Sequence, residues 1–92
     1  MCRLSSEELT LRRKDLIPGL FDQARKVEDV PKGLRLEFDA EAGLLARLAQ
    51  VIEAEQGCCS FLRFSLTAEP HNGPVVLEIT GPDGTGKMLR SL

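Results

Sequence analysis

The chain has 92 residues, of which 42% are hydrophobic and 28% are charged, and this is the composition of a folded globular protein. A chain of this length predicts a single domain over residues 1–92, with one core and no room for a deep cofactor cleft. Twelve basic and fourteen acidic residues give a net charge of -2, which argues against a nucleic-acid partner. No apolar run approaches the ~20 residues of a membrane span, so we predict no membrane association and a cytoplasmic location.

The first predicted element is a helical segment. Ser5 followed by Glu8 fits a capping box, which predicts a helix that opens at Ser6. Pro18 lacks an amide proton and interrupts this helix. We therefore expect residues 9–17 and 18–27 to form two helices or one kinked helix.

A turn, a strand and a long helix are predicted next. Residues 29–33 contain a proline and a glycine and predict a turn. Apolar and charged residues alternate over residues 34–39, which predicts a strand with one buried face. Leucines then recur at helical spacing over residues 41–56, and Gly57 is placed to end this helix in a left-handed conformation.

The last part of the chain predicts a β-hairpin. Apolar and polar residues alternate over residues 62–68 and again over residues 75–80. The Asn72-Gly73 pair between them favours a hairpin turn. Residues 87–92 are predicted to form a short terminal helix.

These elements predict an α+β fold. A helix joins the first and second strands, which therefore run parallel, whereas the hairpin makes the third strand antiparallel to the second. We predict a three-stranded, mostly antiparallel sheet, built from a split strand-helix-strand unit plus a hairpin, with the helices on one face. The third strand is the most apolar and is expected in the middle, although the second strand is an alternative. The expected core residues are Phe38, Leu48, Ile52, Phe64, Leu77 and Ile79.

The densest group of reactive side chains is the pair Cys58 and Cys59, directly after Gly57. With Cys2 they make an odd number of cysteines without framework spacing, which argues for reduced thiols. If the strand begins at the pair, Cys58 faces inward and Cys59 outward, because strand residues alternate between faces. If it begins only at Phe61, both sulfurs can face one side, as a metal site requires.

Two further residues could complete a site around this pair. Glu55 continues the apolar row of Leu48 and Ile52, which places its carboxylate near the thiols. Cys2 supplies a third sulfur if the N-terminal arm folds over this corner, and a trigonal thiolate site suits mercury, arsenite or copper(I). A carboxylate and a helix C-terminus both oppose thiolate formation, so we predict no enzymatic activity. Structural cysteines and thiol redox chemistry are the alternatives.

Two other patterns suggest different functions. Residues 81–87 match the spacing of a phosphate-binding loop, but Met88 replaces the Ser or Thr that would bind magnesium, so we interpret these glycines as a turn. The outer face of the predicted sheet is polar and mixed in charge, and Phe61 and Val76 fall on it. This face, or the predicted N-terminal helix with its basic run at residues 12–14, is therefore an alternative site for a homodimer or a protein partner.

The run from Glu55 to Phe64 resembles small bacterial proteins of unassigned function, in which a helix ends in an acidic residue and a Cys-Cys pair followed by an aromatic strand. The run from Gly73 to Pro82 and the early Cys2 are similar to theirs as well. Such sequences are met near heavy-metal-resistance or metal-responsive regulatory genes. The resemblance therefore implies a soft-metal ligand, and Gly57 departs from it where relatives carry a bulkier polar residue.

Overall fold

The computed structural model describes residues 19–58 and 60–91. Residues 19–23 are helical. The elements that follow are β1 (Lys26–Val30), β2 (Gly33–Phe38), α1 (Leu44–Cys58), β3 (Arg63–Ala68), β4 (Val75–Thr80) and α2 (Thr85–Arg90). The predicted helix before Pro18 lies outside the described residues.

The strands form one sheet in the order β1-β2-β4-β3, and each neighbouring pair is antiparallel. Since β2 and β3 are both antiparallel to β4, they run parallel to each other, as the α1 connection predicts. The strand predicted to be central, β4, lies between them. The α+β class and the open antiparallel sheet are confirmed, but the prediction of three strands is wrong because β1 adds a fourth.

β1 occupies a stretch that the sequence pattern assigned to a helix and a turn. Its residues pair with β2, and Val27 lies opposite Leu36. Pro31 fixes the first central φ of the turn between them, and Lys32 adopts a left-handed φ of 62°. Only Val27 and Val30 are apolar in β1, so the alternation was too weak to predict a strand. Pairing with β2 decides its conformation.

The core lies between one face of the sheet and the helices. The register aligns apolar residues of neighbouring strands, with Leu36 and Leu66 on either side of Leu77. One buried cluster joins these strands to Leu48 of α1 and Leu89 of α2. Of the expected core residues, Phe38, Leu48, Leu77 and Ile79 are buried, whereas Ile52 and Phe64 are partly buried and pack against the cluster.

The opposite face of the sheet is polar and carries cross-strand ion pairs. Arg35 of β2 lies opposite Glu78 of β4, with 3.0 Å between its Nη2 and the Glu78 Oε2. Arg25 donates hydrogen bonds to Glu37 and Asp39, and these bonds raise the pKa of the arginine above its ordinary value. The face is therefore solvated and mixed in charge, as its alternation indicates.

α1 begins later than predicted. Gly43 has a left-handed φ of 83°, so residues 41–43 form a turn rather than helix, and the Arg47 amide donates to the Gly43 carbonyl. Arg47 also pairs with Glu41 across this turn at 2.7 Å. Among the described residues, neither α1 nor another helix has the length and apolar character needed to cross a membrane.

The β3–β4 turn is shifted by one residue from the predicted Asn72-Gly73 pair. His71 and Asn72 have φ values of 59° and 56°, and the Gly73 amide donates to the Pro70 carbonyl at 3.0 Å. His71 and Asn72 are therefore the two central residues, in the left-handed conformation that a type I′ turn requires. Asn and His tolerate this conformation better than most residues.

α2 packs closely against the end of the β1–β2 hairpin. A Cβ atom built on Gly86 would lie 2.9 Å from the Gly33 carbonyl oxygen, which leaves no space for a side chain. The Gly81 amide donates to the Lys32 carbonyl at 3.0 Å, and Arg90 pairs with Asp29 at 2.9 Å. The last helix is thus held by backbone approach as well as by the burial of Leu89.

The core role of α1 predicts an asymmetry between two of its leucines. Leu48 has no exposed surface, whereas Leu45 is 46% exposed. Leu48→Ala should lower the free energy of unfolding by about 2–5 kcal/mol because it leaves a cavity. Leu45→Ala, the same change on the same helix, should cost less than about 0.5 kcal/mol. Urea denaturation of both variants measures this, and equal stabilities would contradict the assigned helix face.

The contact between α2 and β2 predicts an effect opposite to helix propensity. Alanine is favoured over glycine in a helix by about 1 kcal/mol, yet Gly86→Ala should destabilise the protein because the new Cβ meets the Gly33 backbone. Lys87→Ala, at the exposed neighbouring position, is the control and should change the melting temperature little. A Gly86→Ala variant that melts above the parent protein would show that α2 does not pack this closely.

Candidate functional site

The last turn of α1 carries a carboxylate in a buried position. Leu44 and Leu48 form the buried row of this helix, and Glu55 continues it with no exposed surface. Val51 and Ile52 pack partly against the same core. The position of Glu55 in this apolar row predicted a carboxylate held near the thiols rather than extended into solvent. The structure shows that the side chain is buried.

The end of α1 differs from the predicted one. Gly57 was expected to end the helix with a left-handed φ, but the positive φ values among the described glycines are those of Gly43 and Gly84. The helix therefore continues through Gly57, at the propensity cost of a helical glycine, and ends at Cys58. The predicted bounds of 41–56 become 44–58. The backbone of Cys58 thus lies three residues, or nearly one turn, beyond Glu55.

The connection from α1 to β3 is longer than the sequence pattern indicated. β3 begins at Arg63, with turn residues at Ser60 and Phe61 and with Leu62 buried before it. Strand parity therefore does not reach the cysteine pair, and the prediction that Cys58 faces inward and Cys59 outward loses its basis. Helical geometry governs position 58 instead.

The structure describes only part of the predicted site. Glu55 is described in full and Cys58 through its backbone, whereas Cys2, Cys59 and the Cys58 side chain fall outside the described part of the chain. Within the described residues, which omit those thiols, no three His, Cys, Asp or Glu side chains form a group that could hold a metal ion. The structure therefore brings Glu55 to the helix end that carries Cys58.

His71 lies far from this corner. It is exposed in the β3–β4 turn, whereas the cysteine pair precedes the other end of β3. A strand of this length spans about 20 Å. Imidazole ligation at the end of α1 is therefore not supported within one copy of the chain.

The glycine-containing segment before α2 has a structural role. The Thr85 hydroxyl donates to the Pro82 carbonyl at 2.6 Å, so it is engaged within the loop. All described strand pairs are antiparallel, whereas a phosphate-binding loop needs a parallel sheet to present it. Gly86 is required by the contact with Gly33. These observations favour the interpretation of residues 81–87 as a turn.

A groove that the sequence did not predict lies between the start of α1 and the β3–β4 hairpin. It has a volume of 470 Å³, and its lining includes Leu45, Ala68, Glu69 and Asn72. Residues so far apart in the sequence meet here because the start of α1 lies beside the β3–β4 hairpin. No local pattern could have indicated this groove.

Comparison with known protein families, with curated proteins and with solved structures finds no match to this chain. Any assignment of function therefore depends on the chemistry of the α1 end and of the exposed surfaces.

Proposed function

We propose that this protein is a non-catalytic binder of a soft metal or metalloid ion. Cys58 and Cys59 supply two thiolates, Cys2 a third, and Glu55 stands beside them at the end of α1. The observation that carries the proposal is the complete burial of the Glu55 side chain nearly one turn before Cys58.

Burial of Glu55 supports a functional role because desolvation of a carboxylate costs free energy. Leucine at this position would continue the row of Leu44 and Leu48 and would serve the core better. A carboxylate kept here is consistent with a group that orients or balances a bound cation.

The late start of β3 also supports the proposal. Two adjacent residues of a strand point to opposite faces and cannot bind one ion together. Cys58 ends a helix, and β3 begins only at Arg63, so this restriction does not apply to the pair. Three thiolates favour mercury(II), arsenite or copper(I), whereas zinc(II) prefers a fourth ligand. The resemblance of residues 55–64 to proteins met near metal-resistance genes points the same way.

Metal titration tests this function. Fully reduced protein should bind mercury(II), arsenite or copper(I) more tightly than an unfolded dithiol peptide, because the fold holds the donors together. The Cys58→Ser, Cys59→Ser double variant should lose this advantage, whereas Cys2→Ser should weaken binding without abolishing it. Thiolate absorbance during titration, with zinc(II) for comparison, measures each affinity. An affinity equal to that of the peptide, or no loss in the double variant, would exclude the site.

Glu55→Gln tests the neighbouring carboxylate separately. The amide keeps the size of the side chain but removes the negative charge, so metal affinity should fall by about tenfold or more, as for other groups next to metal ligands. Glu53→Gln, at an exposed position on the same helix, is the matched control and should leave the affinity unchanged. Equal effects of the two changes would remove Glu55 from the site.

The pH dependence of binding has a defined sign. A metal cation displaces a proton from each thiol below the usual thiol pKa of about 8.5, so affinity should rise with pH in that range. The copper(I) dissociation constant should fall about a hundredfold per pH unit for protons displaced from Cys58 and Cys59 alone, and about a thousandfold where Cys2 binds as well. Competition with a chelator of known affinity measures this. A constant affinity over the same range would mean that thiols are not the ligands.

A further inference from the structure

The two edges of the sheet are protected to different degrees. β1 contains three charged residues among its five, Lys26, Glu28 and Asp29, and Asp29 is tied to α2 through Arg90. β3 is the other edge and has a single charged residue among six, Arg63, and no proline. Charges on an edge strand oppose pairing with another chain. β3 is therefore the edge that is open to a further strand among the described residues.

The hydrogen bonding of the hairpin shows which backbone groups of β3 point outward. The Glu69 amide donates to the Pro74 carbonyl at 3.3 Å. Bonded and non-bonded pairs alternate along antiparallel strands, so the amides of residues 63, 65 and 67 also face β4. The backbone groups of Phe64, Leu66 and Ala68 consequently face away from β4, in a row that can pair with another strand.

We propose that this edge pairs with β3 of a second copy of the chain, antiparallel about a twofold axis at Leu66. In this register Arg63 lies opposite Glu69 of the second copy, and the twofold axis generates this pair twice. Both side chains are exposed, and neither makes an ion pair with another described residue. Opposite charges that face each other across strands stabilise the pairing.

A neighbouring register leaves the same charges unmatched. A twofold axis at Ser65 also joins outward-facing backbone groups, but it places Arg63 opposite Thr67 and Glu69 opposite Phe61. Neither charge then meets its opposite. The register about Leu66 is the one that uses both.

The inner face of the sheet supports the Leu66 register as well. It brings Phe64 of the second copy opposite Ala68, a large side chain against a small one. Ala68 borders the groove in which Leu45 is 46% exposed, so Phe64 of the second copy would cover apolar surface there. Phe64 and Leu66 are only half-buried within one copy. The dimer would contain one continuous sheet across the two copies. It would not form through the polar face of the sheet.

Charge reversal tests this pairing in the full chain. Sedimentation from low micromolar to near-millimolar concentration should show a dimer. Arg63→Glu and Glu69→Arg each place like charges opposite each other at both ends of the contact, and each should raise the dimer dissociation constant about tenfold or more. Lys26→Glu makes the same change of charge as Arg63→Glu on the β1 edge and should leave the dissociation constant unchanged.

The two single variants also form a complementary pair. A mixture of Arg63→Glu with Glu69→Arg places opposite charges together at both ends, so the mixture should form a heterodimer. The double variant should regain self-association for the same reason. A full chain that stays monomeric would overturn the proposal and leave the edge to residues 1–18 or to a foreign strand. A dimer that is no more sensitive to Arg63→Glu than to Lys26→Glu, or no recovery in the mixture, would overturn it too.

Discussion

The structure depends on the apolar face of β4, which is paired on both sides. Leu77 lies between Leu36 and Leu66, and Val27 of β1 extends this row across all four strands. Ile79 lies in the same way between Leu34 and Phe64. Because side chains alternate along a strand, a shift of one residue would turn these rows to solvent. Their burial therefore sets the register of the sheet and the surface on which α1 and α2 pack.

That surface decides where the chemistry of the chain can lie. α1 packs through Leu44 and Leu48, and this orientation carries Glu55 into the interior. The carboxylate is the unusual feature of an otherwise apolar row, since the same burial that stabilises leucine penalises a charge. The helix also extends to Cys58, so the buried acid and a cysteine occupy one helix end. The packing of α1 on the core thereby sets the position of the proposed metal site at the end of this helix.

The sheet edges show how the same fold can combine stability with association. The charges of β1 and the contact of Asp29 with Arg90 make one edge unsuited to further pairing. The β3 edge has outward-facing backbone groups along its length. Its charged side chains lie only at the two ends, at Arg63 and Glu69. A surface of this kind favours one register over others, because the charges penalise a misaligned partner.

The sequence by itself determined the elements whose apolar residues repeat at a clear period. Alternation predicted β2, β3 and β4, and helical spacing predicted α1. The apolar character of β4 favoured its position between β2 and β3, as the structure confirms. The sequence also indicated, from the position of Glu55 in the α1 row, that this side chain does not extend freely into solvent. These features can be predicted because each depends on the pattern of apolar residues within one element.

Tertiary structure alone decided the features that depend on contact between distant residues. β1 is a strand because β2 lies beside it, and α1 passes through Gly57 because the packed row beneath the helix outweighs the weak helix propensity of glycine. The close approach of Gly86 to Gly33 depends on the packing of α2 against β2. The pairing of β3 with β4 likewise decides which backbone groups of β3 face outward. Sequence periodicity reports which face of an element is buried, but not which neighbour covers it. The cysteine pair could be recognised from the sequence. The helical position of Cys58 could not, because it depends on how far the packed helix extends.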